Sequence, residues 1–307
     1  KIGKSGLEKA FDQRLRGSAG TAEIEVNVVG REVQEVARKE GKSGERLKLT
    51  IDAELQLYAQ DRLAVERSAS AVVMDAQTGA VYALASYPAF DPNVFSRGIS
   101  AELWEKLLAD PSLPLTNKAV SGQYPPGSTF KMVTAMAALE AGVINEHTTA
   151  FCPGHFQFGK IRFHCWKKEG HGTVDVRTAL EQSCDVFFYT LASNLGIDRL
   201  EAMARKLGLG DKLGIGLDEE RPGLVPGKKW KATREDKVWH PGETVNAVIG
   251  QGYMLTTPLQ LATMTARLVN GGHAVKPYLT GVIGNESGAP AMEWESLGLK
   301  KKHLDIV

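Results

Sequence analysis

The sequence predicts an α+β fold, an antiparallel sheet flanked by helices, with a small α+β module ahead of it over residues 1–48. Three observations carry that expectation. Ser70–Asp75 and Ala80–Ser86 are apolar runs joined by Ala76-Gln77-Thr78-Gly79, the pattern of a β-hairpin. Ala53–Leu63 and Ile197–Leu207 repeat apolar residues at helical spacing. Tyr124-Pro125-Pro126-Gly127 is a rigid turn that runs into the Ala/Met/Leu-rich stretch Ser128–Glu140, so Ser128 is expected to open a helix.

In chain order, Gly6–Asp12 reads as a short helix. Ala22–Val29 and Arg31–Val36 alternate with period two, as half-buried strands turning at Gly30. The main domain is expected over residues 49–307. It begins with the strand Leu47–Asp52, whose Asp52 caps the helix Ala53–Leu63. After the Ser128 helix, Cys152–Gly172 is aromatic, basic and loop-like. Val174–Gln182 resumes a helix that ends at Ser183-Cys184-Asp185, and the apolar run Val186–Ala192 follows. Residues 212–241 read as a Gly/Pro-rich loop in which Lys228-Lys229-Trp230-Lys231 is a solvated basic patch. Pro258 suits the first turn of a helix through Leu268, and no internal repeat is present.

Composition narrows the function. A net charge of +1, from 37 basic and 36 acidic residues, argues against nucleic acid as the main partner. No window is apolar enough to span a membrane, and no signal peptide stands at Lys1. There is no phosphate loop, dinucleotide fingerprint or Ser/His/Asp triad, and no organic cofactor is expected.

Ser128 and Lys131 lie one helical turn apart, an S-x-x-K arrangement. A serine hydroxyl becomes a good nucleophile only when a neighbouring base takes its proton, and a lysine desolvated among Phe130, Met132 and Val133 is suited to that role. Taken alone, the pair reads first as an N-cap serine and a solvated first-turn lysine; the Pro-Pro-Gly lead-in and the apolar helix behind it favour the catalytic reading, and a second motif downstream decides. Tyr124 and Gln251, the latter between Gly250 and Gly252, are the candidate substrate-binding residues, each with a packing or turn role as the alternative.

Ser128-Thr129-Phe130-Lys131 followed by Ser183-Cys184-Asp185 resembles the S-x-x-K and S-x-N pair of penicillin-binding proteins and serine β-lactamases. Further stretches look like the class B penicillin-binding proteins, and among them the cell-elongation branch. They are Leu15-Arg16-Gly17, Thr50-Ile51-Asp52, Tyr87–Asn93, Tyr124–Lys131, Gly250-Gln251-Gly252 and Thr257-Pro258-Leu259-Gln260. The resemblance implies a penicillin-recognising serine transpeptidase fold behind part of a pedestal, or dimerisation, module. It implies a peptidoglycan D,D-transpeptidase that is a β-lactam target, with Ser128 as nucleophile, Lys131 as base and Ser183 as proton relay. Asp185 stands where most relatives have Asn and the elongation branch has Asp. Its carboxylate would either hold Lys131 protonated or meet the substrate amide. Stem peptides, a lipid-linked-glycan polymerase and elongation-complex proteins are the implied partners. The implied setting is the periplasm, with an inner-membrane anchor outside this sequence.

The third family motif, K-T-G, is expected beyond Val307. Lys4-Ser5-Gly6 and Lys42-Ser43-Gly44 match it in letters only, since both precede Ser128. The sequence is therefore expected to be a piece of a longer protein, and residues 1–307 alone to fold poorly and acylate slowly. Two rival readings are a serine β-lactamase or penicillin sensor, and a non-catalytic cell-wall scaffold.

Cys152, Cys165 and Cys184 are too few for a disulfide scaffold. They read as one disulfide plus a thiol, as small buried hydrophobes, or, with His171, as a Cys3His structural zinc site. The resemblance favours zinc, because elongation-branch proteins of some Gram-negative bacteria have a metal site at matching positions. His155 and His164 are substitute ligands. Trp166 with Lys167 and Lys168 could touch anionic glycan.

Overall fold

A computed structural model of the chain describes residues 2–234, 237–290 and 293–307. The N-terminal segment holds two short helices, α1 (Gly6–Ala10) and α2 (Asp12–Arg16), and an antiparallel hairpin of β1 (Thr21–Val26) and β2 (Glu32–Lys39). Both predicted strands form, but neither is half-buried. Every residue of the two is exposed, Ile24, Val26, Val33 and Val36 included. Period two decides which residues share a face; a face is buried only where another layer covers it, and here both faces stay open.

The main body begins with β3 (Leu47–Leu49) and α3 (Ala53–Leu63), where Asp52 accepts from the Leu55 N–H at 2.9 Å as the N-cap. β4 (Ala69–Met74) and β5 (Val81–Tyr87) form the predicted antiparallel hairpin. Asp75 closes its turn by accepting from the Gln77 and Thr78 N–H groups at 2.8 and 2.7 Å. α3 lies against β5, with Ala59, Ala83 and Ala85 buried between them. Two surface helices follow, α4 (Asn93–Arg97) and α5 (Ala101–Ala109), and then α6 (Lys118–Ser121), in which Lys118, Ala119 and Val120 are buried.

Ser128 does not open an α-helix. It lies in a 3-10 turn, Gly127–Phe130, and the α-helix α7 (Lys131–Glu140) starts one residue later. The tighter turn follows from Gly127, which sits at φ 56° and donates its N–H to the Gly250 carbonyl at 3.0 Å. Residues 152–172, expected as loop, hold short strands. β6 (Thr149–Cys152) pairs with β9 (Gly172–Asp175), and β7 (His155–Phe158) with β8 (Ile161–His164), all antiparallel. β9 takes Val174 and Asp175 from the predicted helix, leaving α8 (Val176–Glu181) capped by Asp175.

α9 (Asp185–Lys206) joins the apolar run and the predicted helix 197–207, with a break at Gly196, φ 71° and ψ 161°. Packed against α7, it forms the main core, in which Phe130, Met136, Phe187, Phe188 and Leu200 are all but inaccessible. Each such side chain contributes about 1.5–3 kcal/mol of burial free energy. α10 (Lys228–Lys231) interrupts the expected 212–241 loop. Its Lys231 is 2% exposed and not a solvated residue: the ammonium pairs with Glu243 at 2.6 Å and meets the Tyr253 hydroxyl at 3.0 Å. α11 (Pro241–Ala247) and α12 (Pro258–Val269) follow, α12 with a Thr257/Gln260 capping box and Pro258 in its first turn. β10 (Thr280–Ile283) pairs with β3 and with β11 (Glu286–Ser287), giving a sheet of order β11-β10-β3, and α13 (Lys301–Leu304) lies near the C-terminal end of α7.

Candidate active site

Four residues from three segments converge at the start of α9. Lys131, the first residue of α7, is 1% exposed and reaches under Ser128. Its ammonium donates to the Ser183 carbonyl at 2.8 Å, the Ser183 hydroxyl at 2.9 Å and the Asp185 carboxylate at 2.6 Å. Those three acceptors match the three hydrogens of an ammonium. The Phe188 ring centroid lies 5.7 Å from Nζ and closes the apolar side. Ser183 Oγ is 2.8 Å from Ser128 Oγ, so a continuous polar chain runs from exposed Ser128 to buried Lys131.

Local structure explains the placement. α8 ends in a Schellman motif, with the Cys184 N–H on the Ala179 carbonyl at 2.9 Å and the Ser183 N–H on that of Leu180 at 3.2 Å. The left-handed position of that motif usually belongs to Gly; here Ser183 occupies it at φ 54°. The turn aims the Ser183 hydroxyl and carbonyl together at Lys131. Asp185 is the first residue of α9, where the helix dipole favours a carboxylate. Its second oxygen accepts from the Trp166 N–H at 3.1 Å. Of the two roles open to Asp185 in the sequence, the geometry shows the ion pair with Lys131.

The arrangement can move a proton. Once Lys131 has given up one of its three protons, Ser128 can by hydroxyl rotation pass its proton to Ser183 while Ser183 passes its own to the Lys131 nitrogen. Asp185 then stabilises the ammonium that forms. The Ser128 turn is held from below by Gly250, φ 70°, where a Cβ would collide with the Gly127 carbonyl and lie 2.6 Å from Phe130 Cβ. Sequence reasoning gave Gly250 no such part; its position between the Ser128 turn and α11 was the missing information. Tyr124 and Gln251 flank this region but are not hydrogen-bonded into the chain among the described residues. The Tyr124 backbone bridges Thr256, and its ring lies against Gly122. Gln251 is exposed and donates its N–H to the Asn246 carbonyl at 3.1 Å.

Cys152, Cys165, His171 and Cys184 form a second cluster beside the first, with all donor atoms within 4.8 Å of one another. All three cysteines are free and buried. Cys152 ends β6, Cys165 follows β8, and Cys184 is the N-cap of α9, so the cluster joins both small sheets to the Ser183–Asp185 turn. His171 Nδ1 lies 3.5 Å from both Cys152 Sγ and Cys165 Sγ. A tetrahedral cation with bonds of about 2.0–2.3 Å needs donors roughly 3.5 Å apart, so the set fits a soft divalent ion. Burial pushes the Cys184 thiol up to about 12 and, with Lys167 nearby, lowers the His171 imidazole. A neutral imidazole suits ligation; the buried thiol needs a cation to ionise at neutral pH. The other His171 nitrogen, Nε2, is buried and has no hydrogen-bond partner among the described residues. His155 and His164 pair across the β7–β8 hairpin, outside the cluster.

The chain matches two family models, the penicillin binding protein transpeptidase domain over residues 69–307 and the penicillin-binding protein dimerisation domain over residues 1–49. It is 44% identical, over 91% of its own length and 44% of the relative's, to peptidoglycan D,D-transpeptidase MrdA of Escherichia coli strain K12. It therefore spans about half the length of the curated relatives it matches. Its fold is similar to PBP2 of Pseudomonas aeruginosa in complex with WCK 5153, at TM-score 0.86 and 36% identity over 99% of this chain and 64% of that one. It also resembles PBP2 of Helicobacter pylori in complex with MreC, at TM-score 0.89 and 32% identity over 99% of this chain and 56% of that one. A transpeptidase-domain match covering more than half of the chain, with the hydrogen-bonded Ser128, Ser183 and Lys131 inside it, places this protein in the penicillin-binding protein transpeptidase family.

Proposed function

We propose that this chain is the catalytic part of a peptidoglycan D,D-transpeptidase of cell elongation, a serine acyl-transfer enzyme and a target of β-lactams. The Ser128–Ser183–Lys131–Asp185 hydrogen-bond chain carries the reading. In it, Ser128 Oγ attacks the carbonyl carbon of the penultimate D-Ala of a stem peptide. The bond to the terminal D-Ala breaks, and its nitrogen leaves with the proton that Ser183 and Lys131 relay. The amine of a second stem then attacks the Ser128 ester. Its proton returns through the same chain, the cross-link forms and Ser128 is restored. Tyr124 and Gln251 would be the substrate-binding residues.

Residues 1–48 would form part of a pedestal module and residues 49–307 the transpeptidase domain. The H. pylori PBP2 complex with MreC supports elongation-complex proteins as partners, and a lipid-linked-glycan polymerase would be another. Action in the periplasm, beside the inner membrane and through an anchor outside this chain, follows from the same kinship; among the described residues no helix is long and apolar enough to cross a membrane. Cys152, Cys165, Cys184 and His171 would hold a structural zinc, the soft donor set and its spacing being the support. That ion would tie the two small sheets to the turn carrying Ser183 and Asp185.

The test is product analysis with a D-Ala-D-Ala stem pentapeptide and an amine acceptor, using the intact protein. Release of D-Ala with formation of the cross-linked product is expected. Hydrolysis without transfer would point to a β-lactamase-like or sensor role, and no release of D-Ala from folded protein to a scaffold.

A further inference from the structure

Trp166 stands out because it is 64% exposed yet makes three polar contacts with the catalytic turn. Its backbone N–H donates to Asp185 Oδ2 at 3.1 Å. Its indole N–H is shared between the Gln182 and Ser183 carbonyls, each at 3.1 Å. The ring stands edge-on to His171, with centroids 5.3 Å apart. The residue thus bridges the Cys/His cluster, through its neighbour Cys165, to both Ser183 and Asp185.

We infer that Trp166 is a positioning residue for acylation, whose indole N–H fixes the Ser183 turn in the conformation that lines up Ser128 and Lys131. The inference rests on the transpeptidase reading above. Its physical basis is the strain at Ser183. A left-handed serine relaxes toward ordinary backbone geometry unless its surroundings hold it. Relaxation rotates the 182–183 and 183–184 peptides, whose carbonyls are the two that the indole grips. The Ser183 carbonyl receives Lys131 on one lone pair and Trp166 on the other, so backbone and relay are held at one atom. An exposed aromatic beside a groove would ordinarily be read as a stacking surface for substrate. That role needs the ring faces, whereas the one inferred here needs the N–H.

Trp166→Phe in the intact protein separates the two, because it keeps an aromatic face and the backbone donor while removing the indole N–H, together with part of the ring area. Rapid-quench acylation over a range of benzylpenicillin concentrations gives the dissociation constant and the acylation rate constant separately. The acylation rate constant should fall roughly five- to tenfold, the worth of about one hydrogen bond. The dissociation constant should stay within about twofold, with the melting temperature lowered by no more than about 2 °C and metal content unchanged. An unchanged rate constant, or weaker binding at an unchanged rate constant, overturns the inference. Hydrogen exchange at the indole, read by 15N-tryptophan NMR with Trp166→Phe assigning the signal, tests it independently of activity. Slow exchange despite the exposed ring is expected, and exchange as fast as a free indole overturns it. Wild-type protein that does not acylate would sink the transpeptidase reading and leave the exchange result to decide this one.

Discussion

Ser183→Gly and Ser183→Ala, compared with each other, test how the relay is built. Both remove the hydroxyl between Lys131 and Ser128, so both should lose the relay contribution, on the order of 10²–10⁴-fold in acylation rate. They differ only in the backbone. At φ 54° a residue with a Cβ bears about 1–2 kcal/mol of strain that Gly escapes. Gly loses about 0.5–1 kcal/mol more chain entropy on folding, which leaves it roughly 0.5–1 kcal/mol the more stable of the two. For a chain of this size that is about 1–1.5 °C in melting temperature. Calorimetry of the two variants in one buffer measures the gap, and rapid-quench acylation reads the loss of rate in both. An Ala variant as stable as the Gly variant would refute the left-handed turn at Ser183. A Gly variant that acylates at the wild-type rate would refute the relay.

Three further outcomes follow from the same contacts. Gly250→Ala should cost roughly 2–4 kcal/mol and slow acylation, because a Cβ would collide with the Gly127 carbonyl beneath Ser128; denaturant melts and penicillin acylation read both. Burial works to raise the Glu243 carboxyl, but Lys231 and the His240 N–H outweigh it and hold the group below its ordinary 4.5. A depressed folded value means its stabilisation is complete above about pH 4.5 and is lost as pH falls through the folded value. Glu243→Gln should therefore melt lower than wild type at pH 7, with the gap closing below about pH 4 in a melting series. Metal analysis should find one zinc per chain, and its removal by a chelator should lower the melting temperature on the order of 5 °C. Protein purified without chelator that contains no zinc would remove that ion from the account.

What the sequence revealed depended on how local the signal was. The hairpin β4–β5, the cap at Asp52 and the Pro258 helix start rest on neighbouring residues, and all are seen where they were expected. The burial of Lys231 was not legible, because its partner Glu243 lies 12 residues away in a different helix. Exposure of Ile24, Val26, Val33 and Val36 was hidden for a similar reason: alternation states which side chains share a face and not whether anything covers them. The strands in and bordering 152–172 are four residues each, too short for a periodic pattern to emerge. At the site, the S-x-x-K and Ser-Cys-Asp spacings pointed to Ser128, Lys131, Ser183 and Asp185, which the fold brings within hydrogen-bond distance along one chain. The left-handed turn was not legible, because Ser stands where a Schellman motif usually shows Gly. Trp166 as a strap required a contact spanning 17 residues.

The central claim is that Ser128 is a nucleophile activated through Ser183 and Lys131. Intact mass of the full-length protein after incubation with benzylpenicillin, beside a Ser128→Ala control, tests it most directly. The account predicts one covalent penicillin per chain, mapped by peptide digestion to the segment holding Ser128 and absent from the control. An adduct that persists in Ser128→Ala, or folded protein that takes up no penicillin at all, would contradict it.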